Sequence, residues 1–175
     1  MWRSLTSSTN TRITIATILP HMPTSQSVQL LQHSDYDILI LLLALYNSIV
    51  FDYLVKLKLN GIDLTQTIIK QIPVPEVEAF EEELAFEGKT KKIKEHIFVR
   101  VYTLLSNDNR VEALFSRLTY KPQGMYCGNF DKKKVMSEID ILVSKAYKLD
   151  FSILVMIVSK FPNFYLEQEI NYLIK

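Results

Sequence analysis

The polar residues nearest the N-terminus have side chains that can bind nucleic acid. Arg3, Thr9, Asn10 and Arg12 lie within residues 1–34, which contain two arginines and no aspartate or glutamate. Arginine can grip a phosphate or bond guanine, asparagine can pair with an adenine edge, and hydroxyl groups suit phosphate oxygens. These four residues are therefore candidates for DNA contact. A polar, partly frayed terminus that feeds an edge strand would have the same composition.

A second group of candidates follows the most apolar stretch of the chain. Lys56, Lys58, Asn60 and Lys70 form a possible surface for the DNA backbone. The alternative is a solvent-exposed role, since lysines near the end of a helix also offset its dipole.

The residues that usually perform catalysis or bind metals do not form known motifs. The chain has four glycines and no phosphate-binding loop, and Cys127 is far in sequence from His21, His33 and His96. This spacing matches no zinc pattern, and no nucleophile elbow is present. We therefore predict no catalytic residue and no metal site.

Composition and charge indicate an ordinary globular protein. The chain has 175 residues, of which 48% are hydrophobic, and its net charge is +1. Overall charge therefore does not indicate a polyanionic partner. The single cysteine excludes an internal disulfide, and no signal peptide is visible, so we expect a cytoplasmic protein.

The stretch from Asp35 to Pro75 is expected to organise the fold. Its first part, residues 35–59, predicts one buried helix of about seven turns that begins at Asp35 and stops at Asn60. A membrane span is the alternative, but the unbroken apolar run Ile38–Tyr46 is far shorter than the roughly 18 residues that a bilayer requires. We therefore expect no membrane partner.

The elements around this helix predict an α+β fold that is predominantly helical. Strands over 13–20 and 27–32 would form a small antiparallel sheet packed on the long helix. A short helix capped by Asp63 would follow, with a subdomain boundary near Pro75. This organisation divides the chain into subdomains 1–75 and 76–175. The second is expected to be a helical bundle, with helices over 77–86, 90–105, 110–118, 131–146, 151–160 and 164–174.

Three segments, taken together, resemble the region that follows the catalytic domain in large adenine-specific DNA methyltransferases of restriction-modification and phage-defence systems. The first is Trp2-Arg3 with STNTRI at 8–13 and LP at 19–20. The second is LALYNSIVFDY at 43–53 with IIKQIPVP at 68–75. The third is MSEID at 136–140 with AYKL at 146–149 and FP at 161–162. Lys148 stands where the family usually has glycine.

The resemblance implies the target-recognition, or specificity, region of a type II restriction-modification enzyme or its methylase subunit. In that family a catalytic part with an S-adenosylmethionine pocket and an Asn-Pro-Pro-Tyr motif flips adenine out of the duplex for N6 methylation. This chain has no Asn-Pro pair. The resemblance therefore implies a part without activity of its own and without its own cofactor. Its expected partners are double-stranded DNA and a methyltransferase catalytic domain or subunit.

The near-neutral charge leaves a second hypothesis open. The chain could be a helical interaction module that docks a methyltransferase domain or another subunit and touches no DNA. Apolar surface left by a missing catalytic domain could also drive formation of a homodimer.

Overall fold

The computed structural model describes residues 1–20, 22–122 and 130–161. Within them the protein is mostly helical, with seven α-helices and two small antiparallel sheets, each of two strands. The predicted α+β class is therefore confirmed. His21, Cys127 and the predicted helix over 164–174 lie outside the described residues.

The apolar stretch forms two helices instead of the single helix predicted over 35–59. Helix α1 spans Tyr36–Tyr46, helix α2 spans Ile49–Lys58, and their axes are bent by 68°. The prediction was wrong because Ser48 starts a new helix, with its hydroxyl accepting a hydrogen bond from the amide of Phe51. Asp35 caps α1 as predicted.

Both helices of this pair contribute to the buried core. Ile40, Ile49, Phe51 and Val55 are fully buried. No single helix in the described ranges is long and apolar enough to cross a membrane, although the bent pair together meets the criteria of length and composition.

The N-terminal sheet uses a different first strand from the one predicted. Strand β1, Trp2–Arg3, pairs antiparallel with β2, Val28–Gln29, which falls inside the predicted second strand. The predicted strand over 13–20 contributes only an isolated bridge between Trp2 and Ala16. It cannot form a regular ladder because several of its amides bond to side chains of the α1–α2 junction.

Helix α3, Gln66–Ile69, is capped by Thr65 and not by Asp63. Asp63 instead forms an isolated β-bridge with Leu5, so its backbone pairs with the N-terminal segment.

The predicted acidic helix over 77–86 is only half helical. A 3₁₀ helix covers Val77–Glu81, and a hairpin follows, formed by strands β3, Glu83–Phe86, and β4, Lys89–Lys92. Glu87 and Gly88 both have positive φ values, of 50° and 73°. Two such residues are what a tight hairpin turn requires, so they join β3 to β4.

The other helices largely follow the predicted pattern. Helix α4 spans Ile93–Leu105, and a short 3₁₀ turn leads into α5, Glu112–Phe115. Helix α6 spans Lys132–Ala146 with Asp131 as its cap, and α7 spans Phe151–Ser159.

The two predicted subdomains share one hydrophobic core. Phe51 from the first half and Ile97 and Leu142 from the second belong to the same buried cluster. Helix α1 packs on α4, and α2 contacts both α6 and α7. This buried cluster therefore has members on both sides of the predicted boundary near Pro75.

Candidate nucleic-acid interface and its supporting network

A buried carboxylate anchors the N-terminal segment to α2. Asp52 is 0% exposed and lies one turn into the helix. Its carboxylate accepts hydrogen bonds from the amides of Ile13, at 3.2 Å, and Thr14, at 2.6 Å. Its Oδ2 also lies 2.7 Å from Nε of Arg12. Burial raises the pKa of Asp52, and the Arg12 guanidinium and the two amides oppose that shift.

Arg12 is held inside this network. Its side chain is 12% exposed, and its Nη2 donates to the carbonyl of Asn47 at 2.5 Å, in addition to the ion pair with Asp52. The geometry gives Arg12 a structural role, and DNA contact by Arg12 stays an untested prediction.

The side chain of Asn47 fills the break between α1 and α2. Its Oδ1 accepts from the amide of Ala16 at 3.1 Å, and its Nδ2 donates to the carbonyls of Ala16 and Leu43 at 3.0 and 2.9 Å. The Asn47 amide therefore bonds both the N–H and the C=O of Ala16, as the backbone of a neighbouring strand would.

The third element at the junction comes from helix α6. Oδ1 of Asp140 accepts a hydrogen bond of 2.7 Å from the amide of Ile49, which is 91 residues away in sequence. This amide belongs to the first turn of α2, where backbone donors lack partners within the helix. Asp140 and Ser48 therefore cap α2 together.

The three segments that carry the family resemblance meet at this junction. The N-terminal segment supplies Arg12, the central segment supplies Asn47 and Asp52, and the C-terminal segment supplies Asp140. Residue type and the absence of acidic residues nearby in the sequence had pointed to Arg12 as a DNA contact, and the capping role of Asp140 was not predicted. The polar residues Asn47, Ser48 and Asp52, which interrupt the apolar stretch, were the available sign of a junction here.

Thr9 and Asn10 of the first group of candidate DNA contacts lie in the turn at residues 7–10, here called the polar turn, which precedes Arg12. Arg3 lies in β1. Arg3 Nη2 and Asn10 Nδ2 both approach the hydroxyl of Thr6, at 3.5 and 3.4 Å. Thr9 and Asn10 are exposed, and the hydroxyl of Thr9 lies 2.8 Å from that of Ser7. The structure therefore brings Arg3, Thr9 and Asn10 together.

The second group is only partly available to a ligand. Lys58, Asn60 and Lys70 are exposed at the ends of α2 and α3. Lys56 instead donates to the carbonyl of Lys160 at 3.3 Å and lies 5.0 Å from the ring centroid of Phe161.

Backbone hydrogen bonds join the two groups of candidates. The amide of Thr6 donates to Ile62 at 2.8 Å, and the amide of Leu64 donates to Ser4 at 2.7 Å. The segment after Asn60 therefore runs beside the segment that leads into the polar turn. Asn60 therefore lies close in sequence to a segment that pairs with the first group.

A second buried charged cluster was missed by the sequence reasoning. Arg100, which is buried, donates to Glu138 and to Glu87, both at 2.8 Å. Its guanidinium carbon also lies 4.7 Å from the ring centroid of Phe86. Burial raises the pKa of Glu138, and Arg100 opposes the shift. This cluster fixes the hairpin against α4 and α6.

No group of three or more His, Cys, Asp or Glu residues in the described ranges could hold a metal ion. Comparison with protein-family models, with curated proteins and with solved structures finds no match to this chain.

Proposed function

We propose that this chain is the DNA target-recognition part of an adenine-N6 methyltransferase from a restriction-modification system, without catalytic activity of its own. The observation that supports the proposal best is the convergence of the three resembling segments at the α1–α2 junction. Arg12, Asp52 and Asp140 come from distant parts of the chain and join them through buried hydrogen bonds. The resemblance therefore involves residues on which the fold depends.

Binding of DNA is assigned to the exposed members of the two groups. Lys58 and Lys70 supply positive charge for phosphates, and Thr9 supplies a hydroxyl group. Asn10 and Asn60 have the donor and acceptor that pair with an adenine edge. Arg12 contributes by holding the polar turn in place.

The chemistry belongs to a catalytic part that holds S-adenosylmethionine. Extrusion of an adenine from the duplex costs free energy, and a second protein part must keep the duplex in position meanwhile. In this proposal the present chain performs that holding function, in the cytoplasm, beside the catalytic domain or subunit.

Measurement of duplex affinity at several salt concentrations tests the proposal. A fluorescein-labelled duplex pool of mixed sequence is titrated with the full chain, and affinity is expected to fall as salt rises because phosphate contacts release counterions. Replacing Lys58 and Lys70 by alanine should reduce the slope of log affinity against log salt by about 1 per lysine.

The control variant is Lys145→Ala, which removes an exposed lysine from α6. It should leave the salt slope unchanged. Absence of salt-dependent binding, or an equal effect of all three lysine replacements, would contradict the DNA-binding proposal.

The contribution of Asn10 is tested on a duplex selected from a random library by the full chain. Asn10→Ala should weaken binding of that duplex by about 1 to 3 kcal/mol and leave binding of unrelated duplexes unchanged, as expected for a contact to a base edge. Equal weakening on every duplex would assign Asn10 to the DNA backbone.

Exposed apolar side chains on the same segments support the alternative of an interaction module. Leu57 and Ile62 are each 64% exposed, and Leu5 is exposed on the adjoining segment. Replacing Leu57 and Ile62 by aspartate would abolish binding to a methyltransferase catalytic subunit if this face docks protein. Retention of salt-dependent duplex binding by the same variant would separate the two functions.

A further inference from the structure

An open groove lies on the part of the molecule formed by the linker after α3 and the C-terminal helices. Its volume is about 570 Å³. One wall is the linker Pro73–Pro75 with the residues that follow it, and the other is formed by the end of α6 and by α7. Tyr53 and Leu54 of α2 also line the groove.

The groove is apolar, and its side chains are exposed to solvent. Val74 is 50% exposed, Met156 is 41% exposed and Ile153 is 39% exposed. They come from separate segments and line the same cavity. Neighbouring apolar groups of this kind, when they surround a concave surface, are typical of a site that binds another molecule.

Hydrogen bonds fix the shape of the groove. The hydroxyl of Tyr147 donates to the carbonyl of Pro73 at 2.9 Å, which joins the end of α6 to the linker. Lys148 pairs with Glu82 across the groove at 2.9 Å. Because both walls are already held together, a ligand would bind without a large ordering cost.

Negative charge borders the apolar surface. Glu76, Glu78 and Glu82 all line the groove. Glu82 has Lys148 as a partner, whereas Glu76 and Glu78 make no ion pair with any residue that the structure describes. Two carboxylates are therefore available to a cationic ligand that also fills the apolar floor.

We propose that this groove binds an amphipathic helix of a protein partner, with an apolar ridge for the floor and lysine or arginine residues for Glu76 and Glu78. A helix placed in a groove presents apolar side chains at a spacing of three and four residues, and its flanks can present charge. DNA has the opposite charge from the one required. The proposal stands on the groove itself and does not depend on duplex binding.

The C-terminal residues of the same chain do not have the required charge. Residues 162–175 include Glu167 and Glu169 and a single lysine, Lys175. The carboxylates of Glu167 and Glu169 would be repelled by those of Glu76 and Glu78. A basic helix from another protein is the occupant that complements this surface.

A model peptide tests the proposal directly. The probe is a fluorescein-labelled helical peptide with leucine at positions i, i+3, i+4 and i+7 and lysine on both flanks. A twin peptide carries glutamate in place of lysine. The full chain should bind the lysine peptide at least about tenfold more tightly, which corresponds to about 1.4 kcal/mol.

Variants of the groove give the second arm of the experiment. The double replacement Glu76→Lys with Glu78→Lys should reverse the preference, so that the glutamate peptide binds more tightly. Met156→Asp should weaken binding of both peptides. The matched control is Glu112→Lys, which replaces an exposed glutamate on α5 by lysine outside the groove and should leave the preference unchanged. Circular dichroism on each variant confirms that it is folded.

Equal binding of the two peptides, or an unchanged preference in the Glu76 and Glu78 variant, would overturn the proposal. Sedimentation provides a further check: a dimer of the wild-type chain that dissociates in the Met156→Asp variant would show that a second copy occupies the groove, and would also overturn it. Failure of the duplex assay with success of the peptide assay would reject the DNA-binding proposal alone.

Discussion

Nε of Arg12 lies 2.7 Å from Oδ2 of Asp52, in a site where the carboxylate has no contact with solvent. The pair joins the N-terminal polar segment to α2. Two backbone amides also donate to Asp52, and Arg12 also donates to the carbonyl of Asn47. Removing one partner from such a buried pair leaves a charge in the interior without compensation.

We expect Arg12→Ala to lower the free energy of unfolding by about 3 kcal/mol, because Asp52 stays buried without its counterion. Urea denaturation followed by circular dichroism measures the change. The control is Arg110→Ala, which breaks an exposed pair with Asp108 and should produce no measurable change in stability. If Arg12→Ala keeps full stability and loses only duplex affinity, Arg12 is a DNA contact and the structural role is wrong.

Asp140→Ala should destabilise the protein by about 1 to 3 kcal/mol, because the buried amide of Ile49 loses its acceptor at the start of α2. Asp131→Ala removes the cap from α6, where the freed amides are near solvent, and should cost about 1 kcal/mol. Thermal unfolding of the two variants under one buffer condition gives the comparison. A smaller effect for Asp140 than for Asp131 would contradict the role of Asp140 in joining α6 to α2.

Lys148 has a positive φ of 56° and follows the last residue of α6 and its cap. The amides of Lys148 and Leu149 donate to Lys145 and Ser144, the pattern of a helix end that glycine usually completes. Lys148→Gly should therefore raise the free energy of unfolding by up to about 1 kcal/mol. Lys145→Gly, inside the last turn of α6, should lower it by about 1 kcal/mol. Chemical denaturation of both variants tests the sign; destabilisation by Lys148→Gly would show that the ion pair with Glu82 outweighs the backbone strain.

Stability is expected to fall on acidification because of His96. Burial lowers the pKa of this side chain below its ordinary value of 6.5, and its Nε2 lies 3.1 Å from the carbonyl of Leu84. The hydrogen bond to Leu84 and the charge of Glu95 raise the pKa and so oppose this shift, whereas the nearby cations Arg100 and Lys91 lower it further. Between the lowered pKa and 6.5, His96 is therefore protonated in the unfolded chain and neutral in the folded protein. This contribution to stability is complete above pH 6.5 and is lost as the pH falls towards the lowered value, by up to about 1.4 kcal/mol per pH unit.

The comparison of wild type with His96→Gln isolates this effect. Urea denaturation at pH 7.5 and pH 5.5 should show a smaller loss of stability in the variant, since glutamine can donate to Leu84 and does not titrate. His33→Gln, at an exposed position, should behave as the wild type. An equal loss of stability in wild type and His96→Gln would contradict the prediction.

Local signals in the sequence placed many helix boundaries well. Asp35 and Asp131 each cap the helix that was predicted to start there, because a side-chain oxygen next to the first turn satisfies its free amides wherever the helix lies in the fold. The apolar positions of α6, such as Val135, Ile139 and Leu142, recur with the helical period and are buried as predicted. These features depend on neighbours within a few residues.

The sequence by itself determined the predominantly helical class, the end of α2 before Asn60 and the absence of recognisable catalytic motifs. Only the tertiary structure decided that Arg12 points into a buried ion pair and that Asp140 caps a helix 91 residues away. The physical reason is that a buried polar group must find a partner, and the partner can come from any part of the chain. Periodicity and capping are local, whereas the satisfaction of buried donors and acceptors depends on the complete fold.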